Sequence, residues 1–142
     1  MTEHILSMIG LAKKAGQVAI GEEPVGAAAR AGKAHLIVVA SDASDHSWRR
    51  AKSFAAGTSQ QCLRLSYTKD ELGQAIGRDA LAMAAVTDAA MALALVRSLE
   101  QPEKYGSEMA VLEEKVRREK QRRSEQKAHQ KNVRMGKKKV RK

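Results

Sequence analysis

The chain has 142 residues, a length that suits one ordinary domain with an appendage, and 43% of them are hydrophobic while only 3% are aromatic, so a core must be built from Ala, Val, Leu, Ile and Met. The formal net charge is +10, and the single cysteine, Cys62, excludes an internal disulfide and a zinc cluster of familiar spacing. No stretch approaches the roughly 20 apolar residues that a membrane-spanning helix needs, which points to a soluble protein of the reducing cytoplasm with no membrane partner.

Near the N-terminus Ile5, Met8, Ile9 and Ala12 recur at helical spacing, which predicts an amphipathic helix closed by Gly16. The short "QVAI" then reads as a strand. Pro24 suits the first turn of a second helix, with Glu22 and Glu23 at its mouth and Gly32 marking its end. "HLIVVAS" is β-rich, too short for a helix and bounded by turn residues, as a central strand is. Ser44 or Asp45 caps a third helix running through "WRRAKSFAA" to Gly57.

"QCLRLSY" follows as a strand, and Thr68-Lys69-Asp70-Glu71 fits a capping box that opens a short helix. "LAMAAVTD" is small and apolar throughout, as a strand covered on both faces would be, and Thr87 or Asp88 caps a helix to about Glu100. This alternation predicts an α/β fold, a three-layer α/β/α sandwich with a four-stranded mixed or largely parallel sheet.

Charge divides the chain near Pro102. Residues 1–102 hold 11 Lys and Arg against 10 Asp and Glu, a net of +1, whereas residues 103–142 hold 15 against 6, a net of +9. The reading is a domain over 1–102 and a basic C-terminal tail over 103–142, helical or disordered. In the tail Met109, Leu112 and Val116 give one narrow apolar stripe, and the sequence beyond has almost nothing to bury, so a helix that frays into a disordered end is expected. Arg117, Arg118, Arg122, Arg123 and the run Lys137, Lys138 and Lys139 can neutralise phosphates and release counterions. RNA fits this segment better than a membrane surface, which would need large apolar residues opposite the basic face; a tail that only solubilises is the simpler reading.

Signals for catalysis are weak. Asp42, Asp45 and His46 cluster in "SDASDHS", where turn and cap roles explain them better than a metal or acid–base site. His4, His35 and His129 are scattered, and Cys62 within a strand reads as a small buried residue. There is no Gly-rich phosphate loop with a following Lys and Ser or Thr. No enzyme and no cofactor is expected. The few aromatics make a platform of stacked single-stranded bases improbable and favour recognition of RNA by shape and backbone, with a few unstacked bases read directly.

"GLAKKAGQVAIG", "GKAHLIVVASDAS" and "ELGQAIG" together resemble the L-seven-Ae family of ribosomal proteins, the kink-turn RNA binders, and most closely its bacterial branch of small ribosome-associated proteins; the similarity covers about residues 4–100. The resemblance implies the same sandwich, a structured and probably ribosomal RNA as partner, and contacts from two segments. One is the glycine-led junction before the second helix, typically Gly-x-Asn-Glu-x-x-Lys. Here Gly21 matches, while Glu23 holds the Asn position, Pro24 the Glu position and Ala27 the Lys position. Glu22 or Glu23 can then stand in as a guanine-reading carboxylate, with Lys13, Lys14 and Lys33 as phosphate partners, or both acids only complement the helix dipole. The second segment is Ile76, Gly77 and Arg78, where Arg78 either contacts phosphate or pairs with Asp79 in an ordinary turn. The competing reading is a protein-interaction module, binding a ribosomal protein or assembly factor while the tail alone holds RNA; apolar surface exposed around Val25 and Ala28 would favour it.

Overall fold

The computed structural model describes the backbone of residues 2–140 and the side chains of residues 4–101 and 104–128. In chain order the elements are α1 (Thr2–Lys14), β1 (Val18–Ile20), α2 (Glu22–Arg30), β2 (Leu36–Val39), α3 (Asp45–Ala55), β3 (Gln61–Arg64), α4 (Lys69–Ala75), β4 (Met83–Val86), α5 (Ala89–Ser98) and α6 (Pro102–Val140). The alternation predicted from the sequence is present, and so is the mixed sheet. Its strand order is β1-β4-β2-β3, with β2 and β3 parallel and both pairings of β4 antiparallel.

Local sequence explains most boundaries. Ser44 Oγ accepts from Ser47 N–H at the start of α3, and Asp88 accepts from Met91 N–H at the start of α5. The capping box at α4 is complete: Thr68 Oγ1 accepts from Glu71 N–H at 3.2 Å and Glu71 returns a bond to Thr68 N–H at 3.0 Å. These side chains satisfy backbone N–H groups that no helical carbonyl can reach. α1 and α2 close at Gly16 and Gly32, each with the paired return bonds of a glycine-capped C-terminus.

All four residues of both β2 and β4 are buried, so the two central strands need cover on both faces. α2 packs with α3, and α1 packs with α4 and α5, so helices supply that cover. Backbones approach closely where α1 crosses α4 and where α4 meets the chain returning to β4. A Cβ on Gly10 would lie 2.8 Å from Ala75 O, and one on Gly73 would lie 2.7 Å from the backbone of Ala80. Only glycine fits at these two crossings. The one buried polar side chain, Gln60, is satisfied: its amide accepts from Ala34 N–H and donates to Ala29 O.

α6 begins at the charge boundary read from the sequence, but its first turns are part of the packed core. Tyr105, at a kink with φ −116° and ψ 17°, is 6% exposed and Leu112 is fully buried, while Met109 and Val116 pack against the same cluster. α5 is its partner. Lys115 adds a polar contact, with Nζ 3.4 Å from His35 Nδ1. Beyond Val116 the described side chains are exposed or half-buried and none is a large apolar group. The helix nonetheless continues to Val140 where fraying and disorder are expected from composition, supported early on by Glu114 pairing with Arg117 and Arg118.

Candidate nucleic-acid interface

Gly21 joins the sheet to α2 in a conformation with φ 95° and ψ 164°, which a residue with a Cβ adopts only under strain. Its N–H donates to Met83 O at 3.2 Å, extending the β1–β4 pairing, and its carbonyl accepts from Val25 N–H at 3.0 Å as the first bond of α2. One residue therefore ends a strand and starts a helix with no intervening loop. No side chain caps this helix. The N–H groups of Glu22 and Glu23 remain free of helical partners, and Pro24 has none to offer.

The junction faces α3. Arg50 donates from Nε to Glu22 Oε1 at 2.6 Å, and its guanidinium carbon lies 5.2 Å from the centre of the Phe54 ring. Phe54 in turn packs on Gly26, where an added Cβ would come within 3.0 Å of the ring. Between the two helices lies a cleft of about 520 Å³ that includes Glu23, Pro24, Ala27 and Arg30 in its walls.

The second segment is reached through Met83. Because Gly21 bonds to Met83 O, the stretch that returns from α4 into β4 lies beside the junction. Ile76 is 3% exposed and belongs to the core, so what it offers at the surface is backbone. Its carbonyl accepts from Lys13 Nζ at 2.7 Å, which ties the end of α1 to the end of α4. Gly77 follows in the left-handed region, with φ 76°, and Arg78 is exposed. Among the described residues Arg78 makes no ion pair with Asp79.

Lys13 and Ile76 are thus brought together, and Lys14 lines a neighbouring groove between α1 and α4. Lys33 is not at the junction. It follows α2 at the far end of a helix of nine residues, about 13 Å long at 1.5 Å per residue. In α6, Arg117 and Arg118 share the Glu114 carboxylate, whereas Arg122 and Arg123 are exposed without an ion pair among the described residues. The side chains of Lys137, Lys138 and Lys139 lie outside the described residues.

The residues weighed for catalysis have structural tasks. Asp42 accepts from Lys69 N–H at 2.8 Å, beside the start of α4. Among the described residues no group of three His, Cys, Asp or Glu is arranged to hold a metal. Burial pushes the Cys62 thiol up to about 12, far from the range of a reactive thiolate. Sequence reasoning missed Arg50, Phe54 and Gly26. The Arg50–Phe54 spacing along α3 is a visible i,i+4 pair, but nothing in the sequence links it to Glu22, 28 positions earlier.

Residues 3–95 match the model of the Ribosomal protein L7Ae/L30e/S12e/Gadd45 family. The chain belongs to this family. Members of this family are RNA-binding proteins without catalytic activity, and this chain is not an enzyme. Among solved structures it is similar to a Bacillus halodurans protein of unknown function, at 28% identity and a TM-score of 0.64 over 68% of this chain and 97% of that one. It is also similar to the Giardia lamblia 15.5kD RNA binding protein, at 16% identity and a TM-score of 0.56 over 67% and 83%. The second likeness is one of fold. None of the curated proteins is a significant match. The aligned shares correspond to the L7Ae-type sandwich, and the family match ends within α5, before α6 begins.

Proposed function

We propose that the protein binds structured RNA of the translation apparatus, ribosomal and kink-turn-like, as a cytoplasmic member of the bacterial branch of its family. The Gly21 junction, with Glu22 and Glu23, is the principal contact, and Gly77 and Arg78, with the backbone of Ile76, form the second. Lys13, Lys14 and Lys33 lie outside the junction and serve as peripheral phosphate contacts. Arg122, Arg123, Lys137, Lys138 and Lys139 on α6 add sequence-independent affinity, with Arg117 and Arg118 beside them.

The observation that carries this reading is the junction itself: in a chain of an RNA-binding family, α2 enters from Gly21 without a capping side chain and so leaves backbone donors free for a ligand. The charge distribution supports a division of labour, since the net charge is +1 over residues 1–102 and +9 over residues 103–142. Pro24 and Ala27 replace two polar groups of the usual junction, so affinity for a standard kink-turn is expected to be modest. No helix among the described residues is long and apolar enough to cross a membrane. The protein-interaction alternative lacks its distinguishing feature, because Val25 is fully buried and Ala28 half-buried.

The test is a salt-titrated comparison of the full chain on a kink-turn stem and on the same stem with its G·A pairs changed to Watson–Crick pairs. The expected result is a preference for the kink-turn that survives when Arg122, Arg123, Lys137, Lys138 and Lys139 are changed to Gln. Equal binding to both stems, abolished by those changes, would assign all RNA contact to the tail.

A further inference from the structure

The cleft between α2 and α3 holds groups that a backbone-binding role leaves without a task. Its walls carry Glu22 and Glu23 from the first turn of α2, Arg30 from the last, and Arg50 and Phe54 from α3. Two carboxylates and two guanidinium groups leave this lining without net charge, so its field favours neither a phosphate nor a charged side chain. It favours a neutral ligand that both donates and accepts hydrogen bonds.

The arrangement selects among such ligands. Arg50 uses its Nε–H on Glu22 and lies over Phe54, which leaves the four N–H bonds of its two terminal nitrogens for a ligand in a rigid fork. Glu22 keeps its second oxygen as an acceptor. Glu23 is exposed and makes no ion pair among the described residues. A donor fork and a carboxylate therefore lie side by side, joined by their own hydrogen bond. Guanine has the matching edge: O6 and N7 are neighbouring acceptors for the fork, and the N1 and N2 donors adjoin O6. Adenine places a donor where O6 would be, and pyrimidines have no N7. The base must be unpaired, because in a duplex the N1 and N2 donors are already used.

We infer that the α2–α3 cleft takes an unpaired guanine nucleotide of the RNA, with Arg50 as its specificity-determining residue and Glu22 as both the brace for Arg50 and a reader of the guanine donors. The inference rests on the RNA-binding reading above. Arg50 and Glu22 are 51% and 39% exposed, so replacing either has little effect on folding and reports on binding.

The experiment uses the full chain and an RNA hairpin with one unpaired guanine, compared with the same hairpin carrying adenine, inosine or 7-deazaguanine there. The expected preference for guanine over adenine is about 5- to 150-fold, from the usual worth of one bidentate base contact. Removing N7 weakens binding by the native chain but not by Arg50→Lys, and removing the N2 amino group weakens the native chain but not the double variant Glu22→Gln, Glu23→Gln. Circular dichroism of each variant confirms the fold. If guanine and adenine hairpins bind the native chain equally, or Arg50→Lys keeps the full preference, the cleft does not read guanine although the protein still binds RNA. If the native chain binds none of these hairpins and no kink-turn stem, the RNA reading itself is overturned.

Discussion

Ending the chain after Gln101 removes two core side chains, Tyr105 and Leu112, together with the flanking contacts of Met109 and Val116, whereas ending it after Arg118 removes none of them. Losing a fully buried Leu costs about 2–5 kcal/mol and a large aromatic about 3–5, so the shorter cut forfeits roughly 5–10 kcal/mol. That equals most of the roughly 5–15 kcal/mol that holds an average domain together. It also uncovers the apolar residues of α5 that α6 covers. The expected outcome in urea unfolding followed by circular dichroism is a cooperative transition at the native midpoint for residues 1–118, and a much earlier transition or none for residues 1–101. Equal midpoints would refute the assignment of the first turns of α6 to the core. The result also governs any study of the tail, because a chain cut at the charge boundary would lose RNA binding through unfolding alone.

Gly21→Ala forces a Cβ onto a backbone with φ 95° and should lower stability by about 1–3 kcal/mol while weakening RNA binding; unchanged urea midpoints would mean that the junction relaxes freely. Replacing Arg122 and Arg123 by Gln should reduce the slope of log affinity against log salt by about 0.7 per lost phosphate contact, and an unaltered slope would remove these residues from the interface. Burial first, and the charge of Lys115 next, hold the His35 imidazole below its ordinary value of 6.5, so the unfolded chain takes up the proton first. Stability should be undiminished by this group above that value and fall as the pH drops from 6.5 through the lowered folded value; His35→Gln should flatten this part of the profile, and an identical slope would show that His35 does not set it.

The features legible in the sequence are those whose partners lie within one helical turn. Thr68 and Glu71 are three residues apart, Ser44 and Asp88 each cap their own helix, and Gly16 and Gly32 close helices through bonds to the preceding turn. Alternating burial made β2 and β4 readable as central strands because both run apolar at every position. What stayed hidden depends on how elements meet. Lys13 looks like a free cation until α4 brings the Ile76 carbonyl to it, and Glu22 looks like a helix-dipole acid until α3 brings Arg50. The stripe of Met109, Leu112 and Val116 was visible, but composition alone placed it in a tail, since the α5 surface it covers is assembled only in the fold.

Separating the charged arm from a cleft without net charge has a thermodynamic consequence. Counterion release makes the contribution of α6 steeply dependent on salt, and it is the same for every sequence the arm touches. Hydrogen bonds from Arg50 and Glu22 to a base edge exchange with water rather than with counterions, so their contribution to discrimination changes little with salt. A single polybasic surface would couple the two, losing selectivity and affinity by the same contacts. Here raising the salt should weaken binding to the guanine and adenine hairpins in parallel and leave the ratio between them nearly constant. A ratio that collapses together with affinity would mean that base choice is made through phosphate contacts on α6, and not in the cleft beside Gly21.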